Sequence, residues 1–224
     1  LIPATVNWPA AADTANGVAA YAFRRSTDGS PWSPVPLPDA SSRSLPESLV
    51  PGHVLRYAVS ATDTAGNASA WAESAPMLPL VAQEGAGAMS YTGRWNAARS
   101  SLYLGGGIRS SDTKGAKARL TVNASAVAWV APRGPTRGSA GVYVDGTLAA
   151  TVDLYRPKLE TRRVVFWQSW PSAGRHTVEV RVLGTAGHAR VDIDGFVVID
   201  TPAAEPVLVG AGDIASCGLT GDSA

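Results

Sequence analysis

What the chain lacks bounds it first. It carries one cysteine, Cys217, in 224 residues, so no internal disulfide framework braces it. No segment approaches the ~18 continuous apolar residues of a membrane-spanning helix. Lys+Arg 19 against Asp+Glu 18 leaves a formal charge of +1, and the basic residues are scattered singly. That removes the electrostatic case for nucleic acid or an anionic lipid surface as partner. His53, His176 and His188 are isolated from one another and from any cysteine pair, and read as surface or turn residues. A sustained i, i+3, i+4, i+7 apolar pattern is missing too, while 23 Gly and 16 Pro interrupt the chain at short intervals. The opening LIPATVNWPA has neither the charged nor the apolar region of a signal peptide, and no initiator Met. The simplest reading is a piece of a longer protein.

What is present is strand. Apolar residues make up 45% of the chain, enough for two cores of roughly 100 residues each. Short alternating runs recur between turn signals: VLRYAVSAT, AVAWV, GVYVDG, RRVVFW, HTVEVRVLG, ARVDIDGFVVI. That spacing predicts an all-β protein of two β-sandwich domains.

Residues 1–80 form the first. Leu55, Tyr57, Val59 and Ala61 share one face of a strand by alternation, and Ser26-Thr27-Asp28-Gly29 supplies a turn. The early Trp8, YAFRRSTDG, PGHVLRYAVSATDTAGNAS and the trailing Trp71 together resemble a fibronectin type III module. The resemblance implies a seven-stranded spacer or adhesive unit, with Leu55 standing where the family carries its tyrosine-corner residue. No Arg-Gly-Asp tripeptide is present. Trp8, Trp32 and Trp71 are assigned to core and rim packing rather than to a ligand surface.

Residues 81–90 read as a linker into a second sandwich, residues 91–200. There, Asp145-Gly146 favours a type I′ hairpin. Thr177–Val182 alternates, with its valines inward and Glu179 and Arg181 facing water. Val164-Val165-Phe166-Trp167 is apolar on both faces, as in a central buried strand. The stretches YTGRW, AVAWVAPRGPTRGSAGVYVDGTLAATVDLY, SAGRHTVEVRVLGTAG and RVDIDGFVV resemble the galactose-binding-like, carbohydrate-binding jelly-roll domains of bacterial secreted proteins. The resemblance implies glycan binding through exposed aromatics and a structural calcium near the last strand.

Two groups of residues answer to that chemistry. Asp192 and Asp194, at i and i+2, place both carboxylates on one strand face, with Glu84 as a third oxygen donor. Calcium takes six to eight oxygens, so this set falls short alone, and solvated strand-end aspartates account for the same spacing. Tyr155, Trp167 and Trp170 flank Arg156, Arg162 and Arg163. Sugar rings stack on exposed aromatics and arginine forks bind hydroxyls or carboxylates. Trp167 is expected in the core, leaving Trp170, Tyr155, Arg156 and Arg162 as the candidate glycan site. The glycine-rich GPTRG lacks the Lys-Ser/Thr of a phosphate loop. No Ser-His-Asp or Cys-His arrangement stands out in residues 1–205, so no catalysis is assigned there. Asn67 and Asn123 each open an Asn-x-Ser tripeptide.

Residues 201–206 read as a second linker, and residues 207–224 as an apolar strand emptying into Gly212-Asp213. VLVGAGDIASCGLTGDSA resembles the first strand and first motif of a calcineurin-like metallophosphoesterase. The resemblance implies that Asp213 is a ligand of a divalent metal pair clamping a phosphoryl group; Ala215 stands where one form of the motif has histidine. The family's further motifs do not occur in these residues, so the fragment itself is catalytically inert. The combined expectation is a monomeric accessory region of a secreted or cell-surface metallophosphoesterase, spacer plus glycan-binding module, with a polysaccharide or cell-wall glycan as partner. The alternative is a cell-surface binding or adhesion protein of β-sandwich modules without enzymatic activity.

Overall fold

The computed structural model describes residues 2–12 and 17–200. Among these residues all regular elements but one are strands, the exception being a single 3₁₀ turn at Leu104–Gly106. The chain is all-β.

The first six strands are β1 (Ile2–Asn7), β2 (Val18–Thr27), β3 (Ser33–Pro34), β4 (Ser44–Leu49), β5 (Leu55–Asp63) and β6 (Ala72–Glu73). They make two facing sheets, β1-β4 and β3-β2-β5-β6. Alternation along β5 buries Leu55 and Tyr57, which meet Phe23 of β2 and Trp8 just beyond β1. The rings stack in series: Trp8 on Phe23 at 5.1 Å, Phe23 on Tyr57 at 5.5 Å. Trp8 is therefore core. Trp32 and Trp71 instead sandwich the Arg24 guanidinium at 4.6 and 4.1 Å, each just before one of the two-residue edge strands.

Ten more strands follow: β7 (Leu78–Gln83), β8 (Met89–Thr92), β9 (Asn96–Arg99), β10 (Gly107–Ser111), β11 (Lys117–Arg133), β12 (Ser139–Val144), β13 (Thr147–Asp153), β14 (Glu160–Val182), β15 (Val191–Ile193) and β16 (Gly195–Asp200). A large sheet of order β13-β12-β14-β11-β16-β7, with β8 also on β11, faces the smaller sheet β15-β10-β9. Between them lies an apolar core built on Trp129, Phe196, Leu120, Ile193 and the valines of β14 and β12. This is a sandwich-like jelly-roll arrangement. The hairpin turn at Asp145-Gly146 takes positive φ at both residues, 49° and 85°, as its sequence requires.

Two expectations need correction. The expected linker, residues 81–90, opens in β7, which pairs with β16, and closes in β8, which pairs with β11. The chain thus steps from Met77, bridged to Leu55 of the first sandwich, directly into the large sheet. The core of the first sandwich accordingly continues onto the outer face of that sheet, where Val130 and Val197 are buried with Ile2, Leu45 and Leu49. The second correction concerns Val164–Trp167. The pairing Trp129–Phe166 is followed by Val130–Val164, so Val165 is an extra, bulged residue. The bulge sends Val165 and Phe166 inward together, leaving Val164 and Trp167 on the outer face, Trp167 69% exposed. Trp167 is not core.

Candidate functional site

The loops 134–138, 153–159 and 185–190 are joined by the Gly134–Tyr155 and Arg137–Arg190 bridges at one end of β15, and the loop 100–107 meets its other end where the Leu104 N–H reaches Asp194. Asp192 and Asp194 are both fully buried there, at 0% exposure, rather than solvated. Their environments differ. Asp192 is held between two arginines: Arg137 Nε donates to Oδ2 at 3.0 Å, and Arg190 Nη2 lies 2.7 Å from Oδ1. It is an ion-pair partner with both oxygens occupied, not a free metal ligand.

Asp194 has one oxygen satisfied, Oδ1 accepting the Leu104 N–H at 2.8 Å, while Oδ2 is buried without a partner. Burial pushes its carboxyl up to about 7; the Leu104 N–H and Arg162 pull it down, and the charges of Glu84 and Asp192 raise it further. Buried polar atoms are normally paired, so an orphaned carboxylate oxygen marks a place where something cationic belongs. Gln83 Oε1 is a second buried oxygen without a partner. The loop carrying Leu104 lies directly over Gln83 and Glu84. A Cβ at Gly105 would stand 2.5 Å from the Gln83 carboxamide, and one at Gly107 would overlap the Glu84 carboxylate. Arg162, in the left-handed region at φ 54°, fastens this loop by donating to the carbonyls of Ser101 at 2.6 Å and of Leu102 and Tyr103 at 3.2 Å.

Asp194, Gln83 and Glu84 are hard oxygen donors, the chemistry calcium takes. Among the described residues no cluster of three His, Cys, Asp or Glu side chains forms a metal site. A cation here therefore depends on the Gln83 amide, which the sequence reading missed because an amide neighbouring Glu84 carries no charge signal.

The candidate glycan residues do not assemble. Tyr155, 41% exposed, tilts against the His188 ring at 5.1 Å, and Arg156 Nη1 donates to the Tyr155 carbonyl at 2.7 Å. A bridge from Tyr155 to Gly134 joins this loop to Arg137, and so to Asp192. Arg162 is committed to the loop carbonyls. Trp170 is half-buried against the jelly-roll core and stacked on His176, so it is not the exposed platform expected. His188 was read only as a surface or turn residue, Arg137 only as part of a glycine-rich loop and Arg190 not at all, because only the joined loops bring them together. Asp213 and the whole segment 207–224 lie outside the described residues, as does the expected linker 201–206. No helix among the described residues is long and apolar enough to cross a membrane.

No protein-family model matches the chain. It is 30% identical over 124 residues to an A type blood N-acetyl-alpha-D-galactosamine deacetylase of Flavonifractor plautii, covering 55% of this chain and 15% of that protein. It is also 30% identical over 92 residues to an A type blood alpha-D-galactosamine galactosaminidase of the same organism, covering 41% of this chain and 8% of that one. The chain thus spans a small part of the curated relatives it matches. Among solved structures, it is similar to the CBM36-1 domain of a multidomain xylanase from the hindgut metagenome of Trinervitermes trinervoides. There the TM-score is 0.37 with 14% identity, over 56% of this chain and 99% of that one.

Proposed function

We propose that this chain is a non-catalytic, glycan-binding accessory region of an extracellular protein, with the first sandwich, of fibronectin type III kind, as a rigid spacer. The observation that carries the reading is the exposed Tyr155 ring backed by the half-buried His188, set in loops that Arg137 ties to the buried Asp192 beneath. An aromatic face offers stacking to the C–H side of a sugar, and Arg156 and His188 beside it offer polar contacts. The two curated relatives support it. Their names describe different reactions, removal of an acetyl group and cleavage of a galactosaminide, on related amino sugars. Similarity to both over roughly one domain's length fits a shared accessory module better than a shared catalytic centre. Galactose- or galactosamine-containing glycans are accordingly the first ligands to try. The sheet orders β1-β4 and β3-β2-β5-β6, with Trp8 in the core between them, support the spacer's type.

A structural calcium held by Asp194 Oδ2, Gln83 Oε1 and Glu84 belongs to the same reading. When bound it supplies the positive charge that the orphaned oxygens lack and fixes the loop 101–107 against β7. Asp192 has no part in it. The phosphoesterase assignment rests on residues 207–224 alone, and neither curated relative is a phosphoesterase by name.

Calorimetric titration of galactose-, N-acetylgalactosamine- and galactosamine-terminated oligosaccharides into the chain tests the proposal, with and without EDTA. Saturable binding abolished by Tyr155→Ala supports it. Binding unchanged in that variant, or absent for every glycan, overturns it.

A further inference from the structure

The outer face of the large sheet carries a second, differently built feature. β11, β14 and β12 lie side by side there, and register places Arg119 opposite Glu179 and Glu179 opposite Tyr143. One row along, Lys117 stands opposite Arg181. Glu179 is buried, although alternation alone turns it toward water, because three cations close over it. Arg181 Nη2 lies 2.7 Å from Oε1, Arg119 Nη2 2.9 Å from Oε2, and Lys117 Nζ 3.6 Å from Oε1. The Arg181 guanidinium also lies over the Tyr143 ring, 4.2 Å from its centroid. Beside these groups opens a pocket of about 120 Å³, lined by Lys117, Arg119, Tyr143, Thr177, Glu179 and Arg181.

Three cations around one carboxylate leave two positive charges uncompensated at this spot. The whole chain carries only +1, so the excess is local. One carboxylate cannot saturate the ammonium and two guanidinium forks: an arginine alone offers five N–H donors and a lysine three. Arg119 remains 53% exposed on its side chain while touching Glu179. Glu179 thus acts as a buried anchor that holds three cationic heads in one place with donors to spare toward the pocket. Like charges gathered without a ligand repel, and an anionic group seated among them relieves that repulsion while accepting charge-assisted hydrogen bonds.

We infer that this face is an anion subsite for acidic polysaccharide, taking a sugar carboxylate or sulfate between Lys117, Arg119 and Arg181. The choice of a polysaccharide among polyanions rests on the glycan-binding reading above. Nucleic acid calls for many phosphate contacts along a broad basic surface, and three clustered cations on a near-neutral chain do not make one. Thr177 adds a hydroxyl donor at the pocket wall.

The test is titration of the chain with polygalacturonate, a sulfated galactan and a neutral galactan of matched length, at about 50 mM salt and above, where counterion release makes polyanion binding salt-dependent. Binding of either polyanion is expected to weaken with salt and to drop about fivefold or more in Arg119→Ala and in Lys117→Met, one ion pair's worth each. Arg119→Lys recovers part of it. Preference for one polyanion identifies carboxylate or sulfate as the group held. Thermal unfolding confirms that each exposed variant is folded. Polyanion affinity unaltered in Arg119→Ala and Lys117→Met overturns the inference, as does duplex DNA binding equally well, or no polyanion binding. A wild-type chain that binds neutral glycan at Tyr155 but no polyanion removes this subsite and leaves the proposed function standing; one that binds polyanion through Lys117 and Arg119 but no neutral glycan does the reverse.

Discussion

The indole of Trp170 lies flat on the imidazole of His176, 3.6 Å away and 3° from parallel, while His176 Nδ1 sits 2.8 Å from Asp145 Oδ2. The turn at Asp145-Gly146 is thereby tied to β14 through a stacked ring. The first sandwich repeats half of this device: Asp28, also at positive φ before a glycine, accepts the Val54 N–H and lies 2.6 Å from His53 Nδ1. Both carboxyls sit below the usual range, chiefly through the histidine bond and then the backbone N–H.

A depressed carboxyl adds stability that is present above its unfolded value near 4 and is lost as pH falls through the folded value. Asp145→Asn keeps the left-handed turn and the Thr177 N–H acceptor but loses the charge. It is expected to lower stability by on the order of 0.5 kcal/mol near neutral pH, an exposed pair's contribution. The gap from wild type should narrow in thermal unfolding as pH is taken down through and below the usual carboxylate range, where the native carboxylate takes up its proton. A gap that stays the same size across the whole acid range would exclude the ionic account.

Asp192→Asn is expected to be severe. It leaves Arg137, 8% exposed, without its charge partner, and breaking one side of a buried pair costs about 3–5 kcal/mol. Urea unfolding measures it. Asp194→Asn, two residues on, should cost little in EDTA, because it removes an uncompensated buried charge.

Calcium added to the wild type should raise the unfolding temperature by mass action, and Asp194→Asn should abolish that rise. An equal rise in both proteins would place any bound cation elsewhere.

Arg24 lies between Trp32 and Trp71 and holds two edge strands of two paired residues each. Arg24→Ala should destabilise by about 1 kcal/mol and expose the segments around β3 and β6 to protease. Arg24→Lys keeps the charge but not the planar stack, so it should restore little. Limited proteolysis with mass spectrometry distinguishes the outcomes.

The continuous core of the two sandwiches predicts one unfolding transition in calorimetry rather than two. Val197→Ala, at the junction, should lower the single transition by about 1–3 kcal/mol without splitting it. Two resolved peaks in the wild type would mean the junction contributes little.

The all-β architecture was legible because its signals are local: alternation in Thr177–Val182 and the Asp-Gly pair at 145–146 each depend on a few adjacent residues. Trp167 was misread because a single inserted residue, Val165, reverses facing, and a bulge leaves no mark in composition. Asp192 and Asp194 look identical in sequence. What separates them is Arg137, 55 residues away in the chain from Asp192, and Leu104, 90 residues away from Asp194. The cationic cage around Glu179 was invisible for the same reason. Its three members are ordinary alternating surface charges until strand register sets them side by side.

The absence of a hinge between Met77 and Leu78 has a mechanical consequence. The second sandwich cannot swivel freely about the first, because torque at its loops passes through β16 and β7 into the core that holds Trp8, Phe23 and Tyr57. The pair works as a bracket, fixing the angle between the loops of the second sandwich and the body of the first.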